Sequence, residues 1–319
     1  MATSKPAVTW LLAVRNGMPF LPETLASIAS QTYRNFSMLA WDNASTDETV
    51  EELRRWIPER IPGRIVTGEP LPLGLSLAAM VERSETELCA RIDADDVNLP
   101  DRLEKQVAFM SAQPEVAVLG AQVNTIDGEG RHLERWHFPC GDADTRWRLR
   151  WLNPISHPAA MFRRSVVLRA GNYRDCHASE DFDLWVRVAA MAEIRNVPEV
   201  LLYYRRTPES VMSKVTDHVA IERRVMQKNA RQLFPEMDEA AATDFWEATH
   251  PREPQRAGGL KHLFALRRSA RLLAERSGKP SRYFLDTETF RHQEDRIKMR
   301  MYERLGLGRL VRWKRGSRG

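Results

Sequence analysis

No run of 18 apolar residues occurs in the 319-residue chain, so no transmembrane helix is expected. Cysteine is scarce. Cys89, Cys140 and Cys176 are odd in number, widely separated and never spaced as CxxC. That argues against a disulfide framework and a zinc site, and fits a reducing cytoplasm. No Gly-x-Gly-x-x-Gly follows a strand-like run near the start, and the late Gly306-Leu307-Gly308 sits in a basic, helix-like tail. A dinucleotide-dependent oxidoreductase therefore lacks its phosphate-binding turn. Acid is missing after Glu303, where Arg304, Arg309, Arg312, Lys314, Arg315 and Arg318 follow. The net charge of +5 is thus mainly a property of the C-terminal end and does not imply nucleic acid. No nucleic-acid recognition module is present, and the basic residues lie away from the aromatic ones. The start has Lys5 before a short apolar run and no small-residue cleavage pattern, and reads as a first strand, not a signal peptide.

What is present is alternation. Val8 to Val14 reads as a strand, Asn16-Gly17 as a loop, and 22–31 as a helix with Leu21, Leu25, Ile28 and Ala29 on one face. Phe36 to Trp41 is a second strand ending at Asp42-Asn43, and Ser45-Thr46-Asp47 supplies an N-cap for a helix over 48–56. Arg64 to Thr67, Leu75 to Arg83 and Leu88 to Ile92 continue as strand, helix and strand. This predicts βαβ units on a parallel sheet. From Pro100 the pattern changes to a helix over 101–112, a strand over 116–120 and a hairpin over 122–133 turning at Asp127-Gly128. Helices over 147–152, 165–170 and 181–191 and a last strand over 199–204 follow. Beyond Thr216 the chain is charged and helix-like, broken at Pro235, Pro251 to Pro254, Gly258-Gly259 and Gly278 to Pro280.

The chemistry concentrates in Ala90-Arg91-Ile92-Asp93-Ala94-Asp95-Asp96. A buried strand, 88–92, feeds three carboxylates at the carboxyl end of a parallel sheet, which is where such sheets bind ligands. Like charges that close repel unless a cation sits among them, and carboxylates suit Mg²⁺ or Mn²⁺. An acidic turn that only caps the next helix is the plainer alternative. Asp96 reads as that cap, for the helix beginning near Pro100. Arg91, one pleat before Asp93, points to the side of the acids and pairs with them or with a phosphate. Glu180-Asp181 is a second acidic pair, opening a helix whose apolar positions include Phe182, Leu184, Trp185 and Val188. A helix N-terminus favours ionised carboxylates, so capping and general-base work are both readings of this pair.

Four segments in order, AVRNGMPFLPETLASIASQTYRNF, WDNASTDET, ARIDADDVNLPDRLEKQ and GNYRDCHASEDFDLWVRV, resemble inverting family 2 glycosyltransferases of the GT-A fold. HPAAMFRRS and LLYYRR extend the resemblance, which covers roughly residues 7 to 213. It implies an α/β fold with a Rossmann-like, mostly parallel central sheet and a helical C-terminal extension. The implied domains are 1–215, with a nucleotide-sugar-binding half (1–100) and an acceptor-binding half (101–215), followed by a 216–319 extension.

By that resemblance Ala13, Arg15 and Asn16, then Asp42 and Asn43, hold the base of a nucleotide-sugar donor. Many relatives carry a second Asp where Asn43 stands, which accepts the uracil N3–H; an Asn amide oxygen can do the same, so UDP is favoured over dTDP. Asp93 faces the ribose, Asp95 ligates Mn²⁺ or Mg²⁺ on the diphosphate, and Asp181 deprotonates the acceptor hydroxyl. Glu180, His157 and Trp151 are assigned to the acceptor side, although Trp147 and Trp151 at i and i+4 also read as a buried helix face. Relatives often read Tyr-Arg-x-His near the end of the region, and that His can bind the metal. Here the run is Tyr204-Arg205-Arg206-Thr207. Either Arg205 and Arg206 neutralise the diphosphate, or the metal rests mainly on Asp95 and the donor phosphates.

The expected partners are a nucleotide-sugar donor and a glycan or lipid-linked acceptor in surface polysaccharide synthesis, in the cytoplasm. A donor-binding module without transferase activity is the alternative. The tail, with Ile297, Met301, Leu305, Leu310 and Trp313 among basic residues, reads either as an amphipathic helix on the inner membrane face or as a packing or oligomer contact.

Overall fold

The computed structural model describes residues 7–176, 178–208, 210, 215–250 and 260–304. Strand β1 (Val8–Val14) carries apolar residues with almost no polar alternation, and Trp10, Leu11 and Leu12 are fully buried. A strand of that composition belongs inside a sheet covered on both faces. It lies between β2 (Phe36–Asp42) and β4 (Leu88–Ile92), with β3 (Gly63–Thr67) beyond β2, all parallel. Helices α1 (Leu21–Ala29), α2 (Thr49–Trp56) and α3 (Leu73–Arg83) make the crossovers. The register sets Val14 against Asp42 and Leu12 against Ile92. The loops leaving β1, β2 and β4 therefore emerge together at one edge of the sheet.

Past β4 the sheet becomes mixed. Strand β8 (Met161–Arg163) runs antiparallel to both β4 and β6 (Val116–Ile126), and β9 (Glu193–Arg205) returns parallel to β6. Strand β7 (His132–Trp136) closes a hairpin on β6, and β5 (Val97–Asn98) pairs antiparallel with β9. Most registered residue pairs remain parallel. Two expectations need correction. The strand ending near Gly120 and the hairpin arm from Gln122 are one continuous strand, β6. Strand β9 begins well before residue 199 because Pro198 sits in an irregularity, where the register jumps from Gly120↔Asn196 to Gln122↔Val200. A proline is tolerated at a bulge, where no ladder N–H is needed. Strands β5 and β8 are too short to leave a periodic signal.

Two compact units divide the chain: 1–140 with 154–216, and 141–153 with 217–319. The segment 141–153, expected in the first domain, belongs to the second. The reason is aromatic. Helix α5 (Asp142–Leu149) and the turn after it deliver Trp147 and Trp151 into a cluster with Phe234, Phe245, Phe284 and Phe290. Arg150 lies over the Phe234 ring at 4.2 Å and pairs with Glu236 at 2.5 Å. Trp151 is 3% exposed, and its indole donates to Thr249 Oγ1 at 3.1 Å. It is therefore a core residue of the second unit and cannot serve as an acceptor platform. Trp151→Phe is expected to destabilise this unit by on the order of 1–2 kcal/mol, through the lost hydrogen bond and ring volume. Thermal unfolding would check it, and an unchanged midpoint would contradict the packing account.

The second unit also contains the last described helix, Glu288–Arg304. Its Ile297 is 2% exposed, turned inward and not toward a surface. The tail from Leu305 lies outside the described residues. Among the described residues, no helix is long and apolar enough to cross a membrane.

Candidate active site

At the edge where β1, β2 and β4 end, the loops are tied to one another by side chains. Asn16 adopts a left-handed φ of +53°. Its N–H donates to Ser45 Oγ at 2.9 Å, and its Oδ1 accepts the Thr46 N–H at 2.8 Å. Gly17 N–H donates to Thr49 Oγ1, and Met18 N–H to Asp47 Oδ2. Asp47 Oδ1 also takes the Thr49 N–H at the start of α2. The N-cap residue is Glu48, not one of 45–47 as expected, but Asp47 from just outside takes the first helical N–H, and the 45–49 segment fastens the β1 loop as well. Asp42 is buried, its carboxylate accepting the Ser45 N–H. Asn43 pairs reciprocally with the Leu71 backbone, 2.7 Å in each direction, and shapes the wall between β2 and α3. Ala13 is half-buried and Arg15 exposed.

The acidic loop after β4 is held equally firmly. The Thr24 hydroxyl of α1 lies 2.9 Å from the carbonyl of Ala94 and 2.8 Å from that of Asp96. Asp93 stays partly open to solvent and pairs with Arg91 at 2.5 Å. Burial, and then Asp93, push the Asp95 carboxyl up to about 6. A half-buried site with negative charge to spare fits a divalent cation with oxygen ligands.

Across the basin, α7 (Glu180–Ala189) opens with the second acidic pair. Its approach depends on Gly74, where a Cβ would come within 2.1 Å of the Arg174 carbonyl oxygen. His157 Nε2 lies 3.0 Å from the Tyr173 hydroxyl and Nδ1 3.7 Å from Glu180 Oε1. Burial holds the Tyr173 phenol well above its usual value. A phenol that donates to Nε2 leaves the ring proton on Nδ1, facing Glu180. Ligand atoms of His157, Glu180 and Asp181 all lie within 4.8 Å of one another, making them the group among the described residues compact enough for a cation.

The two acidic groups share one electrostatic neighbourhood. Burial alone would lower the Arg91 guanidinium, but Asp93, Tyr173 and Glu180 together hold it above its ordinary value. Burial raises the Tyr204 phenol, and Asp96, Asp93, Asp95 and Asp181 all add to the rise. Arg91 of β4, Glu180 of α7 and Tyr204 of β9 therefore share one electrostatic surrounding.

The family model described as "Glycosyl transferase family 2" matches residues 9–170. This chain belongs to glycosyl transferase family 2. The amylovoran biosynthesis glycosyltransferase AmsE of Erwinia amylovora is 33% identical over 195 residues, 60% of this chain and 72% of that protein. The O-antigen biosynthesis glycosyltransferase WbnJ of Escherichia coli is 30% identical over 202 residues, 62% of this chain and 79% of that one. Among solved structures, S. aureus TarS 1-349 in complex with UDP-GlcNAc superposes with a TM-score of 0.61 at 16% identity, covering 94% of this chain and 92% of TarS. The mannosyltransferase PcManGT of Pyrobaculum calidifontis, in complex with GDP-Man and Mn²⁺, gives a TM-score of 0.50 at 17% identity, over 92% and 86% of the two chains. These likenesses identify the GT-A fold.

Within this glycosyltransferase several expected roles change. Arg91 is fully buried, and its Nε and Nη1 have no hydrogen-bond partner. It supplies internal positive charge to Asp93 and Glu180 and does not reach a phosphate. Arg205 is 2% exposed, donating to the carbonyls of Asp95 and Asp127, pairing with Glu23 and lying over the Phe20 ring. With its guanidinium so committed, it braces the acidic loop and does not neutralise a diphosphate. Asp96 does not cap α4 (Arg102–Ala112): its Oδ1 accepts the Arg205 N–H at 2.8 Å. The structure adds Tyr173, Tyr204 and Thr24 to the site; of these, only the tyrosines stand in segments, GNYR and LLYYRR, that carry a sequence signal.

Glu180 titrates near neutrality, pushed up to about 7 by burial and then by Asp181. A carboxyl raised above its unfolded value holds its proton more tightly in the native state. Its contribution to stability is present below about pH 4.5 and lost as pH rises to about 7. His157 acts oppositely. Burial, then Arg91, lower the imidazole well below its usual value, so stability is lost as pH falls below about 6.5. Glu180→Gln is expected to remove the first slope and leave the second. In urea denaturation it gains on the order of 1–2 kcal/mol over the parent at pH 8 and nothing near pH 4.5. Equal midpoints at pH 8 would rule this assignment out.

Proposed function

We propose that this glycosyltransferase moves a sugar from a nucleotide-diphosphate donor, UDP-sugar by preference, to a hydroxyl of a glycan or lipid-linked acceptor with inversion. The observation that carries the reading is the shared electrostatic neighbourhood of the two acid groups: Asp93 and Arg91 act on Glu180, and Asp93, Asp95 and Asp181 all act on Tyr204. Asp181 takes the acceptor proton as that oxygen bonds to the anomeric carbon. The bond from that carbon to the diphosphate breaks, and its electron pair leaves with the nucleotide. Asp42, Asn16 and the loop wall pinned by Asn43 frame the base, and Asp93 lies on the ribose side. Asp95 with Asp93 would hold Mn²⁺ or Mg²⁺, which when bound offsets the charge of the diphosphate.

The relatives' names support surface polysaccharide assembly as the setting, and the neighbours solved with UDP-GlcNAc and with GDP-Man and Mn²⁺ support a nucleotide-sugar and a divalent ion. A donor-binding module without turnover would not need an acid pair opposite the donor loops. The test is a screen of UDP-, dTDP- and GDP-sugars for released nucleoside diphosphate, with EDTA as control. Release from a UDP-sugar that EDTA abolishes is the expected result. No release from any donor, with or without metal, would overturn the proposal.

A further inference from the structure

We propose that the cavity beside the β6–β7 hairpin is a saccharide subsite for the acceptor, taking the sugar next to the one whose hydroxyl attacks. The assignment rests on the transferase reading above. The cavity is shallow and open to solvent, about 500 Å³, and is lined by Leu133, Glu134, Arg206, Thr207 and Pro208. Small-molecule sites commonly span about 300–1,000 Å³. The lining is amphipathic in the way a pyranose is. Leu133, 49% exposed, and Pro208 offer apolar surface. Arg206 and Glu134 form a half-exposed polar pair 2.8 Å apart.

A row of contacts runs from this cavity to Tyr204, whose phenol feels the charge of the reacting acids. Glu134 Oε1 also accepts the Trp136 indole N–H at 3.2 Å. Trp136 packs against Tyr204 with ring centroids 5.0 Å apart and planes tilted by 37°, and Tyr204 lies in the field of Asp93, Asp95, Asp96 and Asp181. The sheet order decides which substrate belongs here. The loops expected to hold the donor base leave β1 and β2 on one side of β4, whereas β6, β7 and β9 lie on the other. Charge points the same way. Arg206 is matched by Glu134, so the cavity offers no surplus positive charge for a diphosphate. A neutral, polyhydroxylated ring suits it: hydroxyls meet the Arg206–Glu134 pair, and C–H faces meet Leu133 and Pro208.

The test is a titration of the full chain, ¹⁵N-labelled, with methyl glycosides of glucose, galactose and N-acetylglucosamine. The readout is the Trp136 indole N–H resonance, identified by its disappearance in Trp136→Phe. At least one glycoside should shift that resonance, and Arg206→Ala and Glu134→Ala should each weaken the binding at least about tenfold, as loss of a charged hydrogen-bonding group does. Both residues are exposed, and the rest of the spectrum verifies the fold. No shift with any glycoside, or shifts that survive both variants, would overturn the proposal. A separate UDP titration reads the donor side. UDP binding without glycoside binding rejects the subsite alone, and glycoside binding without UDP binding rejects the donor assignment alone.

Discussion

Asp181→Asn is expected to fold, bind UDP with near-normal affinity and transfer sugar at least ~10²-fold more slowly, the usual scale for a lost general base. The variant keeps the shape of the side chain at the start of α7 and removes its ability to take a proton. Asp181 accepts the Phe182 N–H at 2.7 Å through Oδ1, a contact that an asparagine oxygen can preserve. Calorimetry with UDP beside turnover separates binding from chemistry. Wild-type turnover in the variant would reduce Asp181 to a helix cap.

Asp95→Ala is expected to lose nearly all transfer and to lose any dependence of UDP affinity on Mn²⁺ or Mg²⁺. Asp95 is the most strongly desolvated of the two acids assigned to the ion, since Asp93 keeps about a third of its side chain exposed and a bond to Arg91. Removing it leaves Asp93 compensated by Arg91, with little charge to attract a cation. The measurement pairs turnover with UDP titration, each with added metal and with EDTA. Full activity of Asp95→Ala in EDTA would sink the metal assignment.

Much of the catalytic half was legible because its signals are local. The strands 8–14, 36–42 and 88–92 are continuous apolar runs, and each ends in the polar residues that occupy the sheet edge. The acid pair at 180–181 likewise marks the start of its own helix. The readings that changed depend on partners distant in sequence. Asp96 looks like a cap until residue 205 brings it a backbone N–H from 109 positions away. Arg205 looks like a phosphate ligand until Glu23, 182 positions earlier, engages it. Trp151 carries the same helical spacing whether it lines a sugar site or a core. Only its partner Thr249, 98 positions on, distinguishes the two. Spacing reports which residues share a face, but not what that face meets.

The bracing of the acidic loop by β9 has a consequence for the order in which the protein forms during synthesis. Strand β5 pairs with Leu202 and Tyr203, Leu99 N–H bonds the Leu201 carbonyl, and Asp96 bonds the Arg205 amide. When residues 93–98 leave the ribosome, the segment that completes them has not yet been translated. Strands β1 to β4 can assemble from neighbours close in sequence, while three crowded carboxylates wait for more than a hundred further residues. Native pairings of such long range form late, so a nascent chain truncated before β9 would hold a sheet without a finished acidic loop.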